Sequence, residues 1–285
     1  MMKEMLRQEE NSNRTINTSG GKNNRIELRM EQLREKKEKA LITYLTAGLP
    51  DLYKTESLIK VQAEAGVDII EVGVPFSDPV ADGPVIQDAS YRSILNGTNL
   101  VNTFQMVEKV RKTCEVPIVF MMYYNTIFHY GLDAFAAECA KVGVDGIIVP
   151  DLPYEEQEPL KEALAVYQDA SILIQLVAPV SKDRIPMVLK NAKGFVYCVS
   201  QMGVTGGDAG FHKNVKEYLK KVREATTLPL MIGFGIRSAA DVLPLKEVID
   251  GAIVGSEFIR LMEHSQFDEK AAENFVATFK KELNQ

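Results

Sequence analysis

The chain has 285 residues, of which 46% are hydrophobic, and its formal net charge is -6. A chain of this length is expected to fold as one large domain without a disulfide or a metal to hold it together. The negative charge argues against a nucleic-acid or anionic-membrane partner. It does not exclude a small anionic ligand, because backbone N–H groups can bind a phosphate inside an acidic protein.

Cysteine and histidine spacing predicts neither a disulfide nor a metal site. The three cysteines, Cys114, Cys139 and Cys198, are far apart and odd in number, so we expect buried thiols in a reducing cytosol. The three histidines have no ligand spacing either. The sequence has no apolar stretch near the ~20 residues of a membrane span, and its N-terminus lacks the apolar core of a signal peptide. A cytoplasmic location is therefore expected.

The N-terminal segment differs from the rest of the chain. Residues 1–23 are polar and rich in Asn, Ser and Gly, a composition that predicts a disordered leader. Residues 24–285 are predicted to form one domain. Ile26, Met30 and Leu33 then recur at helical spacing, which predicts a short helix before the core.

From residue 40 onward a unit repeats: a short apolar run, a loop rich in Gly, Pro or Asp, and a longer amphipathic stretch. The apolar runs show no alternation, as expected for strands that are covered on both faces. Eight such runs are predicted strands: Leu41–Thr46, Asp68–Val72, Val116–Met122, Gly146–Val149, Ser171–Leu176, Phe195–Val199, Leu228–Ile232 and Ala252–Val254.

Alternating strands and helices imply a parallel sheet with right-handed crossovers. Eight units favour closure into a barrel over an open, doubly wound sheet. The interval between the second and third strands is the longest and indicates an extra helix there. We therefore predict an α/β fold, a (β/α)8 TIM barrel with an extra N-terminal helix and additional helices in its loops.

The densest motif, EVGVPFSDPVADGP, follows the second predicted strand, at the end of a barrel where chemistry takes place. Glu71 falls near the end of this strand and can point into the barrel mouth, where partial burial would raise its pKa. Asp82 lies on the long loop that follows. Each residue also has a plainer interpretation: Glu71 as the partner of a neighbouring Lys, and Asp82-Gly83, like Asp78-Pro79, as a turn.

Three glycine-rich loops predict a phosphate site. SQMGVTGGDAG follows the sixth predicted strand, GFGIRS the seventh and VGS the eighth. Glycine lets backbone N–H groups approach an anion, and a helix N-terminus adds a favourable dipole. Turns also need glycine, but phosphate sites of such barrels typically follow strands seven and eight. The candidates here are Gly233, Gly235, Gly255 and Ser256.

Three tyrosines near strand ends, Tyr44, Tyr123 and Tyr197, are candidates to line a flat hydrophobic pocket. Taken alone, each is more often a residue of ordinary core or rim packing.

This combination resembles the tryptophan synthase alpha subunit family, over roughly residues 25 to 262. The block Glu71–Ser90 is the most specific match, whereas GFG alone is not specific. The matching stretches are YLTAGLPD (Tyr44–Asp51), EVGVPFSDPVADGPVIQDAS (Glu71–Ser90), NTIFHYG (Asn125–Gly131), GVDGIIVPDLPYEE (Gly143–Glu156), GVTG (Gly203–Gly206) and GFGI (Gly233–Ile236).

The resemblance implies cleavage of indole-3-glycerol phosphate into indole and glyceraldehyde 3-phosphate. It implies that Glu71 is the acid–base residue and Asp82 the second carboxylate. It further implies phosphate contacts at Gly206, Gly235 and Ser256, and a mobile lid that contains Thr205. Family members commonly carry Arg where this chain has Gln201, so lid closure is expected to use other contacts here.

The resemblance also implies a partner, a pyridoxal-phosphate-dependent beta subunit that receives indole, in an alpha2beta2 complex. Ser77, Asp78 and Pro79, with Asp151 and Pro153, match surfaces that the family turns toward this partner. No cofactor is implied in this chain, because the indole ring itself acts as the electron sink. Two alternatives remain: another phosphate-binding barrel of aromatic amino-acid synthesis, or an idle module that only docks on the beta subunit.

Overall fold

The computed structural model describes residues 24–168, 170–200, 209–233 and 235–285. The predicted leader, residues 1–23, lies outside the described residues. Within the described ranges nine strands form one parallel sheet, in the order β5-β4-β3-β2-β1-β9-β8-β7-β6. They are β1 (Ala40–Thr46), β2 (Ile69–Gly73), β3 (Ile118–Met121), β4 (Gly146–Ile148), β5 (Ile172–Leu173), β6 (Gln175–Val177), β7 (Val196–Val199), β8 (Leu230–Gly233) and β9 (Gly251–Val254).

Helices separate most of the strands, with two of them between β2 and β3, where the long interval predicted an extra one; β8 and β9 are linked through 3-10 turns. Their bounds are α1 (Arg25–Lys36), α2 (Leu52–Glu64), α3 (Pro84–Leu95), α4 (Leu100–Arg111), α5 (Tyr124–Tyr130), α6 (Leu132–Val142), α7 (Glu158–Ala165), α8 (Ile185–Leu189), α9 (Ala209–Ala225), α10 (Ser256–His264) and α11 (Glu269–Leu283). Short 3-10 turns lie at Tyr154–Glu156, Pro179–Arg184, Ala239–Asp241 and Leu243–Leu245. Across the described ranges, no helix is long and apolar enough to cross a membrane.

The barrel closes through the fifth predicted strand. This run is interrupted at Ile174, so that β5 pairs with β4 and β6 pairs with β7. Ile174 itself donates its N–H to the Ile147 carbonyl, 2.9 Å away. One extended segment therefore joins the two ends of the sheet, and the predicted (β/α)8 TIM barrel is confirmed. The eight predicted strands appear as nine because the fifth changes its pairing partner midway.

Both faces of the strands are buried. In β1 all seven residues are buried. Ile42 belongs to an interior cluster that fills the barrel, while Leu41 and Leu45 belong to the larger cluster between the strands and the helices. This arrangement explains why the strands read as continuous apolar runs.

The predicted N-terminal helix, α1, covers the amino end of the barrel. Its Ile26 is fully buried in the interior cluster. A side-chain carbon added at Gly146 would lie only 2.8 Å from Ile26 Cδ1, so the helix packs closely on a strand start that has no side chain. Asn24 caps the helix by accepting the Ile26 N–H and also donates to the Asp145 carbonyl, 2.8 Å away. Helix α1 is thus hydrogen-bonded to the chain just before β4, at the end of the barrel that it covers.

Three aspartates clamp the amino rim, by which we mean the end of the barrel where the strands begin. Each directly precedes a strand and accepts the backbone N–H near the start of the neighbouring strand. The donors are Leu41 to Asp68 (2.6 Å), Ile118 to Asp145 (2.8 Å) and Leu230 to Asp250 (2.8 Å). Helix cations complete the clamps: Arg29 (2.7 Å) and Lys280 (2.6 Å) on Asp68, Arg25 (2.9 Å) and Arg111 (2.6 Å) on Asp145, and Arg223 on Asp250.

Candidate active site

Glu71 lies inside the barrel near its carboxyl rim, the end where the strands finish. It is the third residue of β2 and is in register with Tyr44 on β1 and Val119 on β3. Ile69, two residues earlier on the same strand, packs in the interior cluster, and strand side chains alternate between faces. The side chain of Glu71 therefore points into the barrel, where only 1% of the residue is exposed.

The environment of Glu71 favours its protonated form. Its Oε2 atom is buried and has no hydrogen-bond partner among the described residues. No described cation forms an ion pair with it. Burial, with a smaller contribution from the charge of Asp82, raises the pKa of Glu71 to about 8. A carboxyl group with such a pKa can both donate and accept a proton near neutral pH.

Asp82 lies on the loop between β2 and α3, at the end of a turn in which its N–H bonds to the Pro79 carbonyl (3.0 Å). Gln87 Nε2 donates to the Asp82 carbonyl (2.9 Å) and fixes the turn. The Asp82 side chain accepts a hydrogen bond from Tyr123 Oη at 2.9 Å. Burial raises the pKa of Asp82 to about 6, while the Tyr123 hydrogen bond opposes that rise. Asp82 is therefore a turn residue and also a carboxylate aimed at the barrel mouth.

Tyr123 follows β3, and two neighbours that the sequence did not single out hold it in place. Its ring stacks on Phe76, with centroids 5.0 Å apart and planes 20° apart. Phe76 in turn is held by Ser90, which accepts the Phe76 N–H (2.8 Å) and donates to the Phe76 carbonyl (2.9 Å). No spacing rule in the sequence links Phe76 to Tyr123, because the contact depends on how the loop folds.

Tyr44 and Tyr197 lie at the barrel mouth, each over a glycine that ends a strand. A side-chain carbon added at Gly73 would lie 1.9 Å from Tyr44 Oη, and one at Gly233 would lie 2.6 Å from Tyr197 Oη. A side chain at either position would therefore displace the tyrosine that lies over it. Gly233 was predicted to bind phosphate, and what the structure shows is that it leaves room for the Tyr197 ring. Gly73 was not among the predicted site residues.

The five predicted side chains of the pocket form one electrostatic group. Burial raises the pKa of both Tyr44 and Tyr197, and the charges of Glu71 and Asp82 raise it further. Tyr123 joins the group through its bond to Asp82. The structure thus brings together the acidic and aromatic candidates, which lie far apart in the sequence.

The predicted phosphate loops after β8 and β9 lie at the same rim. Gly235 has a φ of +72°, a conformation that favours glycine. Gly255 directly precedes α10, and a side-chain carbon there would be 3.6 Å from Tyr44 Cβ, so the N-terminus of α10 lies beside the pocket. Ser256 is the first residue of that helix. Thr205 and Gly206, with Gln201, lie outside the described residues.

The predicted partner-facing residues lie on two loops of the carboxyl rim. Ser77, Asp78, Asp151 and Pro153 are exposed, and Pro79 is half-buried. Ser77 Oγ donates to Asp78 Oδ2 (2.6 Å). Asp151 accepts the backbone N–H at the start of α5 (2.9 Å). Within the parts of the chain described here, no group of three or more His, Cys, Asp or Glu side chains is placed to hold a metal ion.

The chain is similar in sequence to proteins of one family. The family model described as "Tryptophan synthase alpha chain" matches residues 30–285. The tryptophan synthase alpha chain of Lachnospira eligens is 59% identical over 262 residues, covering 92% of this chain and 99% of that protein. That of Alkaliphilus metalliredigens is 45% identical, covering 87% of this chain and 93% of that protein.

Solved structures agree as well. The crystal structure of tryptophan synthase subunit alpha from Legionella pneumophila superposes with a TM-score of 0.83 at 31% identity, covering 92% of this chain and 99% of that one. The barrel, the family model and the relatives all lead to one assignment. The chain belongs to the tryptophan synthase alpha chain family.

Proposed function

We propose that this chain cleaves indole-3-glycerol phosphate into indole and glyceraldehyde 3-phosphate, with Glu71 and Asp82 as its catalytic residues. Membership of the tryptophan synthase alpha chain family makes the protein a lyase of tryptophan biosynthesis. The single observation that carries the residue assignment is Glu71: a carboxyl group inside the barrel mouth, 1% exposed, unpaired among the described residues and with a pKa raised to about 8.

Carbon–carbon cleavage moves two protons. One must be added at indole C3, and one must leave the glycerol hydroxyl next to the breaking bond. A single carboxyl group with a pKa near the working pH can perform both steps in turn and end in its starting state. Glu71 is protonated below about pH 8, so it begins as the acid and its carboxylate then accepts the hydroxyl proton.

Protonation at C3 leaves positive charge on the indole ring near N1–H. Asp82, whose pKa is about 6, is mostly ionised at neutral pH and can accept that N–H. A fixed negative group placed where positive charge develops stabilises the transition state more than the ground state. The difference between the two pKa values supports the proposed roles, in which Glu71 transfers protons and Asp82 stays charged.

The substrate phosphate is proposed to bind at the loops after β8 and β9, with the predicted Thr205 and Gly206 on a third loop. At Gly235 and at Ser256, which opens α10, backbone N–H groups supply the donors. This mode of binding needs no cationic side chain. Tyr44, Tyr123 and Tyr197 supply the aromatic wall for indole.

The partner is proposed to be a tryptophan synthase beta subunit that carries pyridoxal phosphate, in an alpha2beta2 complex in the cytoplasm. No cofactor is proposed in this chain. The docking surface would include Ser77–Pro79 and Asp151–Pro153, whose exposed acidic side chains are available to a partner. Indole would leave the barrel mouth toward this surface, because both loops border the same rim.

The test is an indole-release assay on the purified chain, with and without a tryptophan synthase beta subunit. We expect slow release from indole-3-glycerol phosphate by the chain alone and much faster release in the complex. The Glu71→Gln variant, assayed in parallel, controls for contaminating activity. Absence of release in both conditions, with a beta subunit that binds the chain, would leave only a docking module and overturn the proposal.

A further inference from the structure

We infer that Tyr123 is a positioning residue that fixes the orientation of Asp82 through its hydroxyl group, in addition to any contact of its ring with indole. The inference rests on the proposed function, because Asp82 matters only if it faces the substrate. It goes beyond the assignment of Tyr123 to the pocket wall, since it gives the hydroxyl and not the ring the decisive part.

The hydroxyl of Tyr123 makes two hydrogen bonds to consecutive residues of the loop. Its oxygen accepts the Ala81 N–H at 2.9 Å, and its proton is donated to Asp82 Oδ2 at 2.9 Å. A phenol has one proton, and a backbone N–H can only donate. The Ala81 contact therefore occupies an oxygen lone pair, and the single proton is directed at the carboxylate.

This geometry leaves one carboxylate oxygen for the substrate. Oδ2 is engaged by Tyr123, whereas Oδ1 accepts no hydrogen bond from any described residue. A carboxylate that is held through one oxygen cannot rotate freely, so Oδ1 keeps a fixed direction. An N–H of the indole ring needs such an acceptor, and pre-organisation lowers the cost of forming that bond in the transition state.

The tyrosine itself is held rigidly. Only 4% of it is exposed, and its ring stacks on Phe76 at 5.0 Å. It directly precedes α5, whose first N–H, that of Tyr124, bonds to Asp151 Oδ1 at 2.9 Å. The position of the hydroxyl is thus fixed by the ring and by the backbone of Tyr123. Through its two hydrogen bonds the hydroxyl also restrains the loop between β2 and α3, which is otherwise held by the hydrogen bonds of its own turn.

Several charged and titratable groups around Asp82 affect its pKa. Glu71 faces Asp82 from β2 and the two acids interact unfavourably when both are ionised, while Tyr44 and Tyr197 feel the charge of Asp82 from β1 and β7. Burial also disfavours the charged form of Asp82. The Tyr123 hydrogen bond is the described contact that acts in the opposite direction and lowers the Asp82 pKa.

The experiment compares wild type with Tyr123→Phe, which keeps the ring and removes only the hydroxyl. Carboxyl-carbon NMR of ¹³C-aspartate-labelled protein follows the ionisation of Asp82, which an Asp82→Asn sample assigns. We expect the midpoint of the Asp82 titration to rise by about one pH unit in the variant. We also expect kcat to fall ~10-fold near pH 7, with partial recovery at higher pH and little change in KM. An unchanged Asp82 midpoint would refute the inference.

Tyr218→Phe is the matched control. Its hydroxyl donates to the Val177 carbonyl at 2.7 Å, so this variant also loses one buried phenolic hydrogen bond, but away from Asp82. It should leave the Asp82 midpoint and the pH profile of kcat unchanged. Equal effects in the two variants would mean that Tyr123 acts only through general stability.

A second measurement uses wild-type protein alone, in case Tyr123→Phe fails to fold. With ¹³Cζ-labelled tyrosine, the Tyr123 signal should show a step at the Asp82 midpoint, near pH 6, and Asp82→Asn should abolish that step. Absence of the step in wild type would also refute the inference. Because neither NMR measurement needs turnover, a chain that fails to cleave indole-3-glycerol phosphate would overturn the proposed function and leave the Tyr123 result readable.

Discussion

Buried carboxylates lie at both rims of this barrel, but their hydrogen-bond and ion-pair partners differ. At the amino rim Asp145, 1% exposed, accepts the Ile118 N–H and pairs with Arg25 and Arg111. At the carboxyl rim Glu71, equally buried, has an oxygen without a partner among the described residues and faces a second acid. Similar burial is therefore offset by ion pairs at one end, and it is left without a described partner at the other, where we propose that the acid acts in catalysis.

The difference lies in the partners and not in the degree of burial. Burial alone raises the pKa of both acids, because it penalises the charged form. At Asp145 the two arginines and a backbone N–H act against that rise, whereas at Glu71 the nearby Asp82 adds to it. Donors around a buried acid thus oppose the rise in pKa that burial causes, whereas a neighbouring acid adds to that rise.

The largest expected effect is on catalysis at the carboxyl rim. Glu71→Gln keeps the size of the side chain but removes its ionisable carboxyl proton, so indole release should fall by roughly 10⁴-fold, the upper end of general acid–base contributions. The thermal midpoint near pH 8 should stay equal or rise, since an unpaired carboxylate is lost. Circular dichroism and the indole assay measure the two quantities.

Glu64→Gln provides the control for this loss, because Glu64 is an exposed residue at the end of α2. It should retain ordinary turnover. Ordinary turnover by Glu71→Gln as well would remove Glu71 from the mechanism and dissolve the contrast between the two rims.

The amino rim should respond in stability instead. Asp145→Ala leaves Arg111, which is 9% exposed, and the Ile118 N–H without their acceptor. Breaking one side of a buried pair typically costs about 3–5 kcal/mol, which for a domain of this size is a drop of roughly 6–20 °C in thermal midpoint. Below the transition, kcat should stay within about twofold of wild type. A large loss of kcat with a normal midpoint would contradict the division between the rims.

A substitution at Asp82 tests whether one residue can both stabilise a turn and supply a charge for catalysis. Asp82→Asn keeps the backbone turn to Pro79 but removes the charge, so kcat should fall by about 10²–10³-fold. The thermal midpoint should change little, because the loop lies at the surface of the rim. Near-normal kinetics would reduce Asp82 to its turn, and a large drop in midpoint would place it with the structural acids.

Much of this fold was accessible from the sequence because each strand is buried on both faces and each helix on one. Such burial leaves continuous apolar runs in the strands and apolar residues at helical spacing in the helices. These patterns predicted the barrel, the helix at Arg25–Lys36 and the extra helix before β3. The change of pairing partner at Ile174 was not predicted, because a run of apolar residues does not indicate which neighbouring strand it will hydrogen-bond to. The pairing partners are determined only when the whole sheet closes into a barrel.

The site was predicted less completely. Glu71 and Asp82 stood out because acids in a strand and in a long loop at a barrel mouth are unusual. Their partners did not: the link from Tyr123 to Asp82 and the stack on Phe76 join β3 to a loop some forty residues away. Gly73 likewise gave no signal, because its need to be glycine comes from Tyr44 on the neighbouring strand.

The pH dependence of stability offers a finer test of the contrast. Glu71 has a pKa of about 8 in the folded chain and near 4.5 when unfolded, so the folded state holds its proton more tightly. Its contribution to stability is therefore greatest below pH 4.5, falls as the pH rises, and is fully lost above about pH 8. Between pH 5.5 and 8 wild type should lose on the order of 3 kcal/mol relative to Glu71→Gln.

Thermal or urea unfolding followed by circular dichroism can measure this difference, and the absence of tryptophan from the chain makes far-UV signals the natural choice. The comparison with Glu71→Gln at each pH cancels the titration of all other groups. Parallel pH curves for the two proteins would mean that Glu71 ionises normally, and the rims would then not differ in the way described.

The smallest effect concerns the anion site, where the carboxyl rim is proposed to bind a negative ligand without cationic side chains. Ser256→Glu adds a charge and a longer side chain at the first position of α10, so KM for indole-3-glycerol phosphate should rise by ~10-fold with little change in kcat. Ser256→Ala removes only the hydroxyl and keeps the backbone N–H, and it should cost less than the glutamate variant. If KM is unchanged in Ser256→Glu, the phosphate binds elsewhere, and the rim's preference for backbone donors over cations would lose its support.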